Sequence, residues 1–212
     1  FPKDPTFDNF IKLWTETDFP LWYLNTIKAG AMTSILTIIL TTPTAYAFSR
    51  MRIRGRKLSL LVLLVLQMFP GMMAMVSYYV LLNMLGLLDT TTGLVLLYAG
   101  AAVVGNTWLM KGYYDTIPKE VEEAALLDGA NRFTVFVRII LPLAKSMVIL
   151  IGVFSFAAPF GDLGTYNFIS SNFGNNFTVF AASSILASLP IVILYLALQK
   201  VMVSGFKGAL GR

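Results

Sequence analysis

Charged and apolar segments alternate along this chain at a spacing that fits a bilayer and not a soluble core. Five apolar runs, roughly 22–48, 58–84, 93–111, 136–160 and 179–203, are each long enough to cross a hydrocarbon layer, which takes about 20 residues of helix. The residues are 57% hydrophobic and only 13% charged, with a mean hydropathy of +0.73. A soluble domain carries about a quarter charged residues. The expected fold class is all-α and integral to a membrane, with five transmembrane helices.

The charges also give an orientation. RMRIRGRK, residues 50–57, concentrates Arg50, Arg52, Arg54, Arg56 and Lys57 in one short loop. The 111–138 segment holds Lys111, Lys119, Arg132 and Arg138, and the tail holds Lys200, Lys207 and Arg212. The loops at 85–93 and 160–178 contain no base. The positive-inside rule places the basic segments and the C-terminus in the cytoplasm, and the first residues and the two base-free loops outside. Every Lys and Arg except Lys3, Lys12 and Lys28 then falls on or near the inner side. An outside residue 1 without a signal peptide implies one more span before Phe1.

Several chemistries are excluded by residue type. The chain has no cysteine and no histidine, which removes disulfides, thiol nucleophiles and imidazole acid–base work. It has no G-x-x-x-x-G-K-[ST], so no phosphate-binding loop of its own. No catalytic residue and no metal site can be named. The net charge of +5 is accounted for by membrane orientation, without nucleic acid as a partner. No carboxylate lies deep in a span, whereas proton- or sodium-coupled carriers usually keep one there.

Prolines interrupt the spans. Pro70-Gly71 falls mid-span in LQMFPGMMAMV and predicts a kink, either a gate near a translocation path or a purely structural bend. Tyr78, Asn83 and Asn106 are further candidates for contact with a polar solute; interfacial anchoring is the competing reading for the tyrosine. The threonine run of the first span reads as close helix–helix packing more than as solute lining.

One segment does not belong to the apolar pattern. KEVEEAALLDG, within about 116–129, predicts a short cytoplasmic helix, capped by Asp115 or Thr116, with Pro118 in its first turn and Gly129 at its end. Glu120, Glu122 and Glu123 stand where the helix dipole favours anions. Such a helix is about 15 Å long and unstable alone, so it needs a partner surface. Val121, Ala124, Ala125 and Asp128 give it one mostly small face.

Glu123-Ala124-Ala125, then Gly129, then Ile139-x-Leu141-Pro142 reproduces E-A-A-x-x-x-G-x(9)-I-x-L-P. This pattern, in a cytoplasmic loop before the penultimate span, resembles that of the membrane subunits of ABC importers. FPKDPTFDNF, LQMFPGMMAMVSYYVLLNMLGLLDTTTGLVLLYAG and NTWLMKGYYDTIPKEVEEAALLDGA are similar to type I carbohydrate permeases, most of all the second permease of maltose/maltodextrin importers. After the fourth span the chain departs from the family's W-N-D/E-F segment: FAAPFGDLGTYNF keeps an acid, Asp162, without the tryptophan.

The resemblance implies the type I ABC importer permease fold, here with an extracytoplasmic segment 1–21 and a permease domain 22–212. It implies a coupling helix whose Glu120, Glu123, Ala124, Ala125, Asp128 and Gly129 meet an ATP-hydrolysing subunit. It further implies two such subunits, a second permease as heterodimer partner, an extracytoplasmic sugar-binding protein, surrounding membrane lipid, and no cofactor held by this chain. The expected function is ATP-driven import of a sugar, of the maltodextrin type, across the cell membrane. A same-architecture importer of another solute, and a self-contained ion-coupled carrier, are the alternatives; the latter needs no coupling helix.

Overall fold

A computed structural model describes residues 6–68, 71–170 and 177–210, with 71–72, 162–170, 177 and 203–210 as backbone alone. Every element is helical among these residues: α1 (Asp8–Thr15), α2 (Phe19–Arg50), α3 (Arg56–Gln67), a 3-10 turn (Gly71–Ala74), α4 (Met75–Met84), α5 (Thr91–Thr116) and α6 (Lys119–Leu127). There follow α7 (Arg132–Val135), a π-helical turn (Phe136–Ile140), α8 (Leu141–Leu143), α9 (Lys145–Ser170) and α10 (Phe177–Leu210).

Three helices, α2, α5 and α10, are long and apolar enough to cross a membrane unbroken. They coincide with the first, third and fifth expected spans. At 32 residues α2 is about 48 Å long, so its ends extend past a hydrocarbon layer of about 30 Å.

The other two expected spans are not single helices. Residues 58–84 divide into α3 and α4, separated by the 3-10 turn. The cause is in the sequence: Pro70 has no N–H to give and its ring excludes the carbonyl four residues back, while Gly71 adds backbone freedom. Residues 136–160 are also broken, with Arg132–Leu143 and Lys145–Gly161 meeting at 77°. Pro142 lacks the donor that would reach residue 138, and just before it the Leu141 N–H reaches back five residues to Phe136 in the π turn. The expected outer loop at 160–178 is shorter than the base-free stretch suggests, because α9 continues to Ser170. A lack of charge marks a side of the membrane and says nothing about backbone conformation.

The helix α2 is the centre of the bundle, packed on α5 and α9, and α9 packs on α10. Its inner stripe Thr33, Thr37 and Thr41 is fully buried, which supports packing over solute lining. Gly30 allows the closest approach: a Cβ there would lie 2.7 Å from the Phe156 carbonyl oxygen. Ser34 Oγ donates to the Gly152 carbonyl at 2.9 Å across the same seam. Large apolar side chains face outward instead, among them Ile35, Ile39, Ile193 and Leu196. That inversion suits a lipid solvent. A buried cluster at the end holding Arg50 joins α2, α5, α7, the π turn and the start of α9 through Tyr46, Tyr114, Val135, Ile140 and Met147, with Ala125 of α6 packed against it.

Candidate functional site

The helix α6 is set off by its own punctuation. Ile117 is extended (φ −76°, ψ 126°), as the residue before a proline prefers, and this ends α5. Pro118 occupies the N-cap position and no side chain caps the helix. This corrects the expectation for Asp115 and Thr116. Both belong to α5, where Asp115 accepts from Ser49 Oγ at 2.6 Å and from Lys111 Nζ at 2.5 Å, and Thr116 Oγ1 donates to the Tyr113 carbonyl. The helix is correspondingly shorter than 116–129.

Its end matches the expectation. Gly129 adopts φ +87°, its N–H bonds to Leu126 O at 3.1 Å, and the Ala130 N–H bonds to Ala125 O at 3.0 Å. This is a Schellman closure, in which the left-handed residue is best a glycine. The chain then restarts at once, with Asn131 Oδ1 accepting from the Thr134 N–H at 2.8 Å to cap α7.

The faces of α6 divide sharply. Glu120, Glu123, Ala124, Asp128 and Gly129 are exposed, and Val121, Leu126 and Leu127 are exposed beside them, Leu127 at 89%. Ala125 is half-buried and packs against the cluster beneath. The structure thus brings the predicted contact residues onto one accessible segment.

Glu122 turns the other way and is buried. Its Oε1 lies 2.6 Å from Arg50 Nε, and its Oε2 accepts from the Tyr46 hydroxyl at 3.0 Å. Arg50 Nη2 also donates to the carbonyls of Tyr114 at 2.8 Å and Ile117 at 2.6 Å, at the end of α5 where the regular helical bonding stops. Tyr46 and Tyr114 meet edge to face at 6.0 Å. Sequence reasoning missed this group. Arg50 read only as an orientation charge, and Glu122 as one of three equivalent acids.

The candidate path residues are less united. Asn106 is buried on α5 and donates to Ser155 Oγ at 3.3 Å. It lines a cavity of about 440 Å³ together with Gln67, Trp108 and Ser155. The Trp108 indole N–H is buried without a partner among the described residues. Tyr78 lines a neighbouring cavity of about 560 Å³, and both cavities share Gln67 and Ala101. Gln67 was not singled out beforehand, although a lone amide in the run LSLLVLLVLQM was the available signal. Gly105 makes room for it: a Cβ there would lie 2.5 Å from Gln67 Nε2. Asn83 is exposed on α4 and lines neither cavity. Gly71 begins the 3-10 turn, and Pro70 lies outside the described residues.

Residues 35–208 match the family described as binding-protein-dependent transport system inner membrane component. The chain is 40% identical to the maltodextrin transport system permease protein MdxG of Bacillus subtilis, over 94% of this chain and 78% of that protein. It is 37% identical to the galactooligosaccharides transport system permease protein GanQ of the same organism, over 96% and 79%. A solved bacterial ABC transporter involved in import of the acidic polysaccharide alginate matches with a TM-score of 0.76 at 24% identity, covering 94% of this chain and 81% of that one. At that identity the likeness shows the fold.

Proposed function

The chain belongs to the binding-protein-dependent transport system inner membrane components, permease subunits of ABC importers, and on that premise we propose that it imports an oligosaccharide of the maltodextrin type. The observation that carries the mechanism is the exposed face of α6, with Glu120, Glu123, Ala124, Asp128 and Gly129 presented together on a helix too short to stand alone. That face, with Ala125 at its edge, docks on a separate ATP-binding subunit in the cytoplasm. Two such subunits serve this permease and a second one, in the plane of the cell membrane. An extracytoplasmic binding protein delivers the sugar on the opposite side, where residue 1 lies, while the C-terminus is cytoplasmic.

In this reading ATP-driven closure of the partner moves α6, and with it the spans, as rigid bodies. Moving a two-state population from 1:99 to 99:1 takes about 5.5 kcal/mol of differential binding, which nucleotide can supply without any ion gradient. Sugars pass beside the paired cavities at Gln67, Tyr78 and Asn106, whose amides, hydroxyl and free indole N–H suit a neutral polyol. Pro70, Gly71 and Asn83 belong to the same proposed path.

The likeness to GanQ favours galacto-oligosaccharides as a second reading, since 37% and 40% identity do not separate the two sugars. Proteoliposomes holding this permease with its partner permease, ATP-binding subunits and binding protein discriminate all the readings. The expected result is uptake of labelled maltotriose that needs internal ATP and survives collapse of ion gradients. Uptake of galacto-oligosaccharide alone would reassign the sugar. Uptake driven by an ion gradient without ATP would overturn the importer mechanism. Gly129→Asp, which places a charge at the end of α6, is expected to lose the ATP-binding subunit on co-purification.

A further inference from the structure

Between α5 and α6 there is no continuous helix. Ile117 and Pro118 are both extended, and α6 begins without a side-chain cap. A displacement of α6 therefore has no stiff main-chain route into α5. The only close polar route among the described residues runs through side chains. Arg50, the last residue of α2, touches Glu122 of α6 through Nε, and through Nη2 the carbonyls of Tyr114 in the last turn of α5 and of Ile117 just past its end. Tyr46, one turn earlier on α2, holds the second oxygen of Glu122. One guanidinium thus joins three elements, with the Arg50 side chain 5% and the Glu122 side chain 10% exposed.

A buried ion pair is a poor device for stability alone, because well-packed apolar groups of similar volume often do as well. What a guanidinium adds is direction: its donors form a rigid planar fork, and here two branches are spent on different elements. The contact is also placed away from the docking face, since Glu120 and Glu123 are exposed while Glu122 is not. A second tie, Ser49 to Asp115, joins α2 to α5 at the same level.

We propose that Arg50, Glu122 and Tyr46 form a side-chain latch that fixes the orientation of α6 to α2 and α5, and that these are positioning residues for coupling between ATP hydrolysis and transport. The inference rests on the coupling-helix reading above. The latch holds the helix from behind, while its other face meets the partner. Loosening it lets α6 follow the ATP-binding subunit without carrying the spans.

The test uses the complete importer in proteoliposomes and measures solute moved per ATP hydrolysed, normalised to assembled complex. Arg50→Gln and Glu122→Gln are expected to lower this ratio about tenfold, within the range seen for residues that transmit coupling. Arg50→Lys keeps the charge opposite Glu122 but cannot span all three acceptors, and is expected to lower the ratio about threefold. It carries the test if the glutamine variants fail to assemble. Variants that reduce the amount of complex but leave solute per ATP unchanged would overturn the latch, since a purely structural role changes yield and not the ratio. A wild-type complex that lacks an ATP-binding subunit or shows no ATP-dependent uptake would instead overturn the coupling reading, and the latch with it.

Discussion

The two polar regions of this protein are built in opposite ways. Around Arg50 and Glu122 the polar groups are buried and bonded to one another across three helices, with Tyr46 and Tyr114 packed edge to face beside them. Around Gln67 and Asn106 one span breaks, at the end of α3 beside the continuous α5, two cavities adjoin, and the Trp108 indole N–H has no partner among the described residues. The first arrangement ties three helices together through side chains. The second leaves open space and an unspent indole N–H. Under the proposed function, stiffness at the Arg50 joint serves coupling and looseness along the broken span serves the sugar.

The largest test of that contrast removes one member of the joint. Glu122→Ala leaves the Arg50 guanidinium buried without its counter-ion, a loss of about 3–5 kcal/mol for a pair as enclosed as this one. The melting temperature of the solubilised permease complex should fall steeply. An unchanged value would mean that water reaches Arg50 and that the joint is not the enclosed group described.

A second substitution probes the seam between α2 and α9. Gly30→Ala places a Cβ only 2.7 Å from the Phe156 carbonyl oxygen, so α2 and α9 must separate. Overpacking of this kind costs about 1–3 kcal/mol. If thermal stability is unaffected, the two helices are less tightly joined than their backbone approach indicates. A substitution at Gly100, where a Cβ meets nothing, is the control.

How far these regions were legible beforehand follows from what sequence encodes locally. The spans at α2, α5 and α10 could be read because twenty apolar residues in a row have few other uses, and Gly129 could be read because a left-handed helix end favours glycine. The family pattern of Glu123, Ala124, Ala125 and Gly129 was readable for the same reason: it is written in one stretch. The Arg50–Glu122 contact was not, because its partners are 72 residues apart and nothing in EVEEAA says which acid faces inward. Helical phase against a neighbour decides that, and the neighbour is known only from the fold. The bend before Lys145 was missed although Pro142 stands beside it, because a proline in an apolar run does not say whether the span merely kinks or turns by 77°. Gln67 stood in plain view, but its value comes from Gly105 on another helix.

Gly129→Ala gives a smaller effect that separates backbone strain from docking. At φ +87° a side chain with a Cβ costs about 1–2 kcal/mol, while the added methyl itself meets nothing within 4 Å in this chain. The isolated permease should lose that much in stability, and Gly129→Asn, which tolerates the left-handed region, should lose less. Co-purification of the ATP-binding subunit then reads the second quantity. If both variants bind it equally while differing in stability, the open space beyond Gly129 is not part of the docking face.

The smallest stability effect is expected at Gln67. Its side chain is exposed and sits between the two cavities, so Gln67→Ala should change stability by no more than about 0.5 kcal/mol, as for surface substitutions away from cores and caps. Loss of one amide hydrogen bond to a passing sugar should lower apparent transport affinity by a few-fold, taking about 0.5–1.5 kcal/mol for an ordinary neutral bond. The pairing of near-constant melting temperature with raised half-saturation is the opposite of the pattern expected at Glu122. If Gln67→Ala instead destabilises the permease and leaves uptake unchanged, the amide is a packing element against α5, and the loose end of the molecule is structural after all.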